Sequence, residues 1–512
     1  MIETEIRFAV PDGMDSSVTQ HYFAAIPGPG EYNRTTYFDT SDNALWNNGI
    51  EFRVRTNGMK HKQTVKTRIA GTSSFMRNEF EKEIESEQPD LTHLHSVLPP
   101  ELRSAVYPAQ FRPAFRTEIR RRKRIVEKDG NTIEAVHDRG WIVAGRTSTE
   151  IDEVEHELQQ GGSQWLTDAC LSFLDAVPCG LQTEGKAARG FRLATGANPV
   201  PAMAENVFVP STAPLPEAIV AMMRAAYAQV LANQSALLLT GDIEAVHQMR
   251  VGLRRLRSVL SAFAPVLDLS GAPDLLSETK ALFARLGDVR EADVFVSETI
   301  AAIPETALDA RRRQILDREV HRYRDRAYAD VANYVNGPRF GRFAVRLNGW
   351  IESGNWLRNA APVDRLLRTR PVADFAASRL SEMERKLIKR GRRALKGTID
   401  DWHEARIAAK KVRYAGEPLA MVMSPVSAGR GKPKFTKGLA RLQDELGVFN
   451  DFSNVPAFLA RVRETVPKNA LGGFGEAAAF CAGWSTAEVG HAVHRLEKSW
   501  KKFEDEKGVL QS

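Results

Sequence analysis

A cationic motif that occurs twice places the tightest constraint on how this chain can fold. Residues 247–257 and residues 403–413 follow one ungapped pattern, HxxR[VI]xx[RK][RK][LV]R. Each copy is followed by a second matching element, at residues 286–291 and residues 446–451. So long and ordered a match predicts that the C-terminal half is a duplicated unit, in which each copy carries a histidine and a row of cations.

Helical geometry indicates where those cations point. At about 100° per residue, the histidine and the three cations spaced after it fall within a sector roughly 80° wide. The two resulting stripes are His247, Arg250, Arg254 and Arg257 in the first copy, and His403, Arg406, Lys410 and Arg413 in the second. Cations on a single helix are commonly an ordinary solvated face. Because both copies repeat the arrangement in register, we expect the stripes to face one another across a pseudo-twofold axis and to form a cationic groove.

The length of the chain predicts two to four domains, because 512 residues exceed what one ordinary core organises. The composition, 43% hydrophobic and 26% charged, is typical of a soluble globular protein. No stretch approaches the roughly 18 consecutive apolar residues of a membrane span, and the first residues lack the features of a signal peptide. We therefore expect a cytoplasmic protein with no membrane partner. The three cysteines are too few and too scattered to predict a disulfide framework or a zinc site.

Charge is distributed unevenly along the chain. Residues 1–196 hold 24 Lys and Arg against 28 Asp and Glu, a net charge of −4, which leaves +11 for residues 197–512 out of the total of +7. The basic half is expected to attract a polyanion. Five prolines between Ala197 and Pro216 predict an extended linker between the two halves.

The two halves also differ in their hydrophobic periodicity. Before the linker, two-residue alternation predicts strands at residues 52–55, 63–66, 80–84 and 154–158. After it, a 3.6-residue period predicts helices at residues 217–239, 244–264, 275–303, 309–334 and 436–449. Residues 339–370 and 425–437, rich in Arg, Gly, Lys and Pro, are predicted to be exposed connections of the helical bundle. The fold class is therefore α+β multidomain.

Nearly every predicted strand carries charge on one face. Alternate residues of a strand share a face, which groups cations on some strands and carboxylates on others. These groups are Glu3, Glu5 and Arg7; Arg53 and Arg55; Lys62 and Lys66; Arg77, Glu79 and Glu81; Arg121 and Lys123; Glu134 and Asp138; and Glu153, Glu155 and Glu157. A solvated face is the ordinary explanation for one such strand. The segregation of charge types instead favours a closed antiparallel sheet with a polar tunnel, in which basic walls bind phosphate oxygens and carboxylates bind a divalent metal such as Mg²⁺.

The ordered set of motifs resembles two known families. The Glu3-x-Glu5-x-Arg7 start, Arg53-x-Arg55, Thr64-Val-Lys66, Arg77-x-Glu79, Glu153-x-Glu155 and the ending Lys186-Ala-Ala-Arg189-Gly190 resemble, in order, the CYTH or triphosphate tunnel metalloenzyme family. The duplicated C-terminal unit resembles the CHAD family of histidine-bearing α-helical domains. The resemblance covers nearly the whole chain and follows the domain order of bacterial inorganic triphosphatases.

This resemblance implies a fold and a domain division. Residues 1–196 would form an eight-stranded antiparallel β tunnel, residues 197–216 a linker, and residues 217–508 an all-α bundle with two internal repeats. It also implies that the tunnel uses Mg²⁺ or Mn²⁺ to hydrolyse inorganic triphosphate and that the bundle binds inorganic polyphosphate, which suggests an association with polyphosphate granules.

The resemblance also implies site residues, carried over by position. The implied metal ligands are Glu3, Glu5, Glu153 and Glu155, and the opening motif, Glu3, Glu5 and Arg7, would act at the catalytic centre. The implied triphosphate ligands are Arg53, Arg55, Lys66, Arg121, Lys123, Lys186 and Arg189, with Lys123 a weaker match, as are Glu79 and Asp138. The implied polyphosphate ligands are His247, Arg250, Arg254, Arg257, His403, Arg406, Lys410, Lys411 and Arg413. The two histidines could instead be neutral residues that hydrogen-bond across the pseudo-twofold axis.

One residue departs from the family pattern. The family motif ends in Lys, whereas this chain has Arg7, and arginine stays protonated where a desolvated lysine can shift its pKa. If that lysine takes part in proton transfer, turnover here would be lower; if it only binds a phosphate, Arg7 could serve. We expect a weakened but real triphosphatase.

Other functions remain open at this point. The chain could bind polyphosphate without efficient turnover, or its basic half could bind nucleic acid, although few aromatic residues alternate with the cations for base stacking. Related tunnel chemistries act on thiamine or nucleoside triphosphates, but no residue set in 1–196 identifies a base pocket. The substrate without a base is therefore preferred, and no nucleic-acid partner is expected.

Overall fold

The computed structural model describes residues 2–14, 18, 22–23, 30–100, 102–103, 111–205, 207–357, 369–421 and 432–508. The N-terminal half is built from strands, as the two-residue alternation predicts. These are β1 Ile2–Ala9, β2 Glu31–Asp39, β3 Ile50–Asn57, β4 Lys60–Arg68, β5 Met76–Ile84, β6 Arg112–Lys128, β7 Asn131–Ala144, β8 Thr147–Gln160 and the short β9 Gly180–Leu181.

Within the described residues, eight antiparallel strands close into a barrel in the order β5-β4-β3-β2-β6-β7-β8-β1, with β1 pairing back onto β5. The closure places Glu3 opposite Arg77 on one side and Arg7 opposite Glu155 on the other. The tight β6–β7 connection uses Asp129 and Gly130, both at positive φ (51° and 76°), which is the backbone that a two-residue hairpin turn requires. The predicted closed tunnel is confirmed.

Four short helices in the described part of the chain pack against the barrel. These are α1 Ala44–Asn47, α2 Leu91–Val97, α3 Ser163–Ala176 and α4 Lys186–Thr195. Phe8 and Phe173 of α3 pack with ring centroids 5.4 Å apart, and both are fully buried. On β1 the outer face carries Ile6 and Phe8, so alternation turns Glu3, Glu5 and Arg7 toward the barrel axis. Helix α4 packs on the inner side instead: its Phe191 contacts Phe115, which lies on the same face of β6 as Arg121.

The second half is helical, as predicted. Its helices are α5 Leu215–Ala232, α6 Gln234–Thr240, α7 Ile243–Ala262, α8 Pro273–Val294, α9 Ala310–Asn336, α10 Pro338–Ser353, α11 Val372–Ala394, α12 Ile399–Met421, α13 Lys432–Thr465 and α14 Leu471–Gly508. A π-helical turn, Phe295–Thr299, extends α8. The two copies of the motif lie on α7 and α12, which pack against one another. The second matching elements lie on α8 and α13, with Leu286 and Leu446 buried.

The barrel and the helical region are in direct contact. The Gln234 side-chain amide donates to the backbone carbonyls of Leu181, in β9, and Val335, in α9. Arg342 donates to Asp175 at 2.6 Å. Between α4 and α5 the described residues form no helix or strand, in keeping with the predicted linker. The domain bounds at 196 and 217 stay predictions.

The predicted exposed connection at residues 339–370 is wrong for its first part. Residues 338–353 form helix α10, and Phe340, Phe343 and Leu347 are buried at helical spacing. The glycines of this segment favoured a loop in the sequence analysis. Gly349 instead allows α10 to pack closely against α3, since a Cβ there would lie 2.2 Å from the Thr167 hydroxyl. The prediction is also wrong for residues 432–437, which form the first turns of α13. Residues 358–368 and 425–431 of the two predicted connections lie outside the described residues. Among the described residues, no helix is long and apolar enough to cross a bilayer.

Candidate functional site

The barrel encloses a cavity of about 900 Å³ whose wall is dominated by charged side chains. β1 contributes Glu3, Glu5 and Arg7, and six of the predicted triphosphate ligands join them. These are Arg53, Arg55, Lys66, Arg121, Lys123 and Lys186. Arg189 of α4 lies beside the cavity, where it pairs with Glu153. The structure thus brings the predicted tunnel residues together around one axis.

One group of carboxylates lies on three neighbouring strands. Oxygens of Glu3, Glu79 and Glu157 lie within 4.8 Å of one another, a spacing that could hold a metal ion. The Lys66 ammonium contacts both Glu3 oxygens, at 2.5 and 2.6 Å, and Glu79 at 3.3 Å. Burial, together with Glu3 and Glu5, raises the pKa of Glu157 to about 8. Among the described residues Glu157 has no ion-pair partner, so it is the member of this group best placed to gain from a cation.

A second group of carboxylates lies deeper in the barrel. Asp138, Glu153 and Glu155 have the same spacing, and Asp138 and Glu153 are fully buried. The Lys186 ammonium lies 2.7, 2.5 and 2.8 Å from the three in that order. Burial disfavours the charged form of Lys186, but these carboxylates outweigh it and raise its pKa. The chain therefore supplies a cation of its own to this group.

The structure separates the four predicted metal ligands. Glu3 belongs to the first carboxylate group, and Glu153 and Glu155 belong to the second. Glu5 lies between them: burial and then the negative charges of Glu155 and Glu3 raise its pKa. Glu157 escaped the sequence prediction, although strand parity had already placed it on the face of Glu153 and Glu155.

Arg7 is held on several sides. Its guanidinium donates to Glu5 at 2.7 Å, to the Thr183 carbonyl at 3.2 Å and to the Ser74 hydroxyl at 3.3 Å. Gly185 leaves room for it, since a Cβ there would lie 2.8 Å from an Arg7 nitrogen. Two nitrogens of the planar fork share these contacts, whereas a lysine would have to make them from one nitrogen.

The other tunnel cations differ in how far they are neutralised. Arg121 forms a bidentate ion pair with Asp138, with N–O distances of 2.7 and 2.6 Å. Arg53 lies 3.2 Å from Glu51 and donates to the Tyr37 hydroxyl. By contrast, burial and the nearby Arg121 and Arg53 lower the pKa of Arg55 to about 10, and among the described residues it has no carboxylate partner. An incoming phosphate would find its least compensated cation at Arg55.

The first carboxylate group fits a divalent metal better than the second. Both offer three carboxylate oxygens, the ligands that Mg²⁺ and Mn²⁺ prefer. The second group already surrounds the Lys186 ammonium, whereas the first contains Glu157, a half-buried carboxylate without an ion-pair partner in the described chain. A carboxyl with a raised pKa can bind a metal by releasing its proton.

The two stripes of the helical region converge. Burial, then Arg406 on the same helix and Arg250 on the facing one, lower the pKa of Lys410 to about 8, with a smaller contribution from Arg254. Cations from both copies of the motif therefore lie close enough to influence the same side chain. Arg250 also lies over the Phe283 ring, 4.0 Å from its centroid, and donates to the Phe283 carbonyl.

The members of the stripes differ in exposure. His247, Arg250, Arg254, Arg406 and Lys410 are half-buried, whereas Arg257, His403, Lys411 and Arg413 are exposed. Burial lowers the pKa of His247, and Arg290 and Arg254 lower it further against the opposing effect of Glu244. His247 is therefore mostly neutral at pH 7 unless an anion binds.

Comparison with known proteins identifies two domain families in this chain. Residues 1–191 match the model of the CYTH domain, and residues 221–460 match that of the CHAD domain. Among solved structures, the CHAD domain from the plant Ricinus communis is 26% identical, covers 59% of this chain and 96% of its own, and gives a TM-score of 0.49. PptA from Streptomyces chartreusis is 19% identical, covers 56% of this chain and 100% of its own, and gives a TM-score of 0.42.

A third similar structure matches the barrel. It is a candidate adenylyl cyclase from Hippeastrum that is described as having a dominant triphosphatase activity. It is 17% identical, covers 37% of this chain and 94% of its own, and gives a TM-score of 0.25.

Proposed function

This chain joins a CYTH domain to a CHAD domain, and we propose that its barrel hydrolyses inorganic triphosphate with Mg²⁺ or Mn²⁺ while its helical region binds inorganic polyphosphate. The observation that supports this most is the wall of the tunnel. It combines cations at several levels with two carboxylate groups around one cavity. The cations can bind a linear polyanion, and the carboxylate groups can bind a divalent metal.

The cations suit a linear ligand without an organic group. Arg53 and Arg55 lie two residues apart on β3, and Lys66 lies on the neighbouring β4, where Arg53 faces Thr64 and Arg55 faces Lys62. Residues spaced by two lie roughly 7 Å apart along a strand, so these cations meet a ligand at successive positions along the axis. We propose that Arg53, Arg55, Lys66 and Arg121 hold the phosphate oxygens, with Lys186 and Arg189 orienting the deeper carboxylates.

We propose Glu3, Glu79 and Glu157 as the principal metal ligands, with Glu5 next to them and Glu153 and Glu155 as the deeper set. When bound, the metal would polarise a phosphoryl group and orient the attacking water. Lys66 must then exchange part of its contact with Glu3 for contact with a phosphate. Lys66 and Glu3 are buried, and burial strengthens the electrostatic interactions made there.

The helical region supports the second part of the proposal. Two stripes converge so closely that burial and neighbouring cations hold the pKa of Lys410 near 8. Cations gathered in this way are stabilised by a polyanion, which releases counterions as it binds.

Arg7 favours a second candidate function, binding with little or no turnover. Its ion pair with Glu5 engages one of the predicted metal ligands, and it replaces the lysine of the family motif. A folded protein that binds tripolyphosphate but does not cleave it would support this candidate.

The experiment is phosphate release from tripolyphosphate by the full-length protein with Mg²⁺, with Mn²⁺ and with EDTA. Metal-dependent release is expected. Glu157→Gln should lower the rate, whereas Glu150→Gln, an exposed change on the same strand, should not. Release that is equal in EDTA would contradict a metal-dependent tunnel.

A further inference from the structure

The linker crosses one end of the barrel cavity. Residues 199–205, called the strap here, contribute Pro199, Val200, Ala202, Met203 and Glu205 to its wall. The strap is anchored to the helical region at Asn233, whose side chain accepts from the Ala202 amide at 2.9 Å and donates to the Ala202 carbonyl at 3.0 Å. Asn233 is completely buried, so the anchor is fixed.

Glu205 attaches the other end of the strap to the barrel. It is the only charged residue between Ala197 and Pro216. Its carboxylate accepts from the Gly71 amide at 2.9 Å and pairs with the Arg68 guanidinium. Val207 packs onto Gly71, where a Cβ would lie 2.4 Å from a valine methyl.

The turn that receives Glu205 has the features of an anion site. Gly71 has a φ of +74°, a conformation that presents backbone amides outward and that favours glycine. A guanidinium and a backbone amide converge on one carboxylate, as they would on a phosphate. The hydroxyl-bearing Thr72, Ser73 and Ser74 follow in the same turn and line the cavity.

This turn continues the cationic row of the tunnel. Arg68 lies two residues beyond Lys66 on the same face of β4, roughly 7 Å along the strand. Its register partner across β5 is Arg77, which also lines the cavity, and Arg7 lies nearby. A chain held at Lys66 that runs toward this end meets Arg68 next.

From this geometry, which rests on the proposed function, we propose that Arg68 and the Gly71 amide form an additional phosphate subsite that takes the end of a linear polyphosphate longer than three phosphates. The Glu205 carboxylate occupies this subsite when no such chain is bound. A longer chain displaces it and releases the barrel end of the strap, so the strap selects against longer substrates.

The test measures affinities of the full-length protein for tripolyphosphate and for linear tetrapolyphosphate by calorimetry in EDTA. Glu205→Gln removes the competing charge but keeps an oxygen that can accept from Gly71. We expect the ratio of tetrapolyphosphate to tripolyphosphate affinity to rise about fivefold, consistent with the loss of one partly exposed ion pair and of its repulsion for phosphate. Glu217→Gln, the same charge change on an exposed residue of α5, should leave the ratio unchanged.

Two outcomes would overturn the subsite. The first is a ratio that is the same in Glu205→Gln and in the unaltered protein while both bind tripolyphosphate. The second is an equal rise in the Glu217→Gln protein, which would show a general charge effect. Failure of the unaltered protein to bind either phosphate would instead overturn the proposed function and the subsite with it. A Gly71→Ala variant gives an independent check. Its added Cβ would clash with the Val207 side chain and weaken the attachment of the strap to the barrel. A protease should therefore cleave the strap faster in this variant.

Discussion

The barrel and the helical region present cations in opposite ways. In the tunnel, Lys186 is buried among carboxylates that raise its pKa, despite the cost of burial. On the stripes, Lys410 is half-buried among other cations, and its pKa is lowered to about 8. Carboxylates therefore outweigh the cost of burial at Lys186, whereas burial and neighbouring cations outweigh Asp451 at Lys410.

This difference indicates different tasks for the two surfaces. A tunnel of paired charges is rigid and selective, because a ligand must replace existing partners in a defined geometry. A stripe of cations attracts any extended polyanion, with an affinity that depends on salt. We therefore assign selection and chemistry to the barrel and capture of polymer to the helical region.

The largest effect is expected from Lys186→Met. Removal of the ammonium leaves Asp138, Glu153 and Glu155 buried without their shared cation. We expect the free energy of unfolding to fall by about 3–5 kcal/mol, measured by urea denaturation in EDTA. Lys123→Met is the matched control: Lys123 pairs with Glu134, but its side chain is 52% exposed, so a change within about 1 kcal/mol is expected.

Added Mg²⁺ sharpens this prediction. The vacated carboxylate group has the spacing of a metal site, so millimolar Mg²⁺ should restore part of the lost stability in Lys186→Met and not in Lys123→Met. Equal losses in the two variants would show that the tunnel does not depend on internal neutralisation.

Arg7→Lys tests whether the departure from the family motif limits turnover. The substitution removes the guanidinium that pairs with Glu5. It also restores a side chain that is able to transfer a proton. We expect tripolyphosphate turnover to rise about tenfold, measured as kcat with Mg²⁺. The loss of contacts with Thr183 and Ser74 should lower the free energy of unfolding by about 1–2 kcal/mol. An unchanged kcat would remove any special role for this position.

Arg254→Gln and Lys410→Gln test the stripes. Each should weaken binding of long polyphosphate by about fivefold and lower the salt dependence of binding by about one unit of slope. The measurement is a titration at two or more salt concentrations. Lys501→Gln, an exposed change on α14, should have little effect. Equal weakening in all three variants would indicate attraction by net charge alone.

The smallest effect is the pH dependence of that binding. A bound polyanion favours the charged form of Lys410, so binding takes up a proton when the free side chain, with its pKa near 8, is partly neutral. Affinity should therefore fall about threefold between pH 7 and pH 9. Lys410→Arg should flatten this dependence because arginine stays charged. A dependence that is the same in Lys410→Arg would assign it to another group.

Strand parity in the sequence was sufficient to predict the charged tunnel, because alternation fixes the face of each residue. It could not fix the level of each residue along the axis. Glu153, Glu155 and Glu157 share one face of β8, and only the pairing of β8 with β1 shows that Glu155 lies opposite Arg7 and Glu157 opposite Glu5. For this reason the sequence suggested one metal set where the structure has two groups.

Two further features needed the tertiary structure. Glu79 joins Glu3 only because β5 closes onto β1, a pairing between strands far apart in sequence. The strap likewise reads as a plain Pro-rich linker, and Glu205 acquires its position from the β4–β5 turn and from Asn233 of the helical region. Helix α10 was missed for a similar reason. Its glycines suggested a loop, but Gly349 lies where α10 packs closely against α3, a contact that the sequence does not specify.

The measurement that tests the division of tasks most directly compares two readouts in the Glu3→Gln protein. Tripolyphosphate hydrolysis with Mg²⁺ should fall by about 100-fold or more, while affinity for long polyphosphate should stay within about twofold of the unaltered protein. Loss of both would contradict the assignment by showing that the tunnel is also the main site of polymer capture. Retention of hydrolysis would show that the Glu3, Glu79 and Glu157 group is not the metal site.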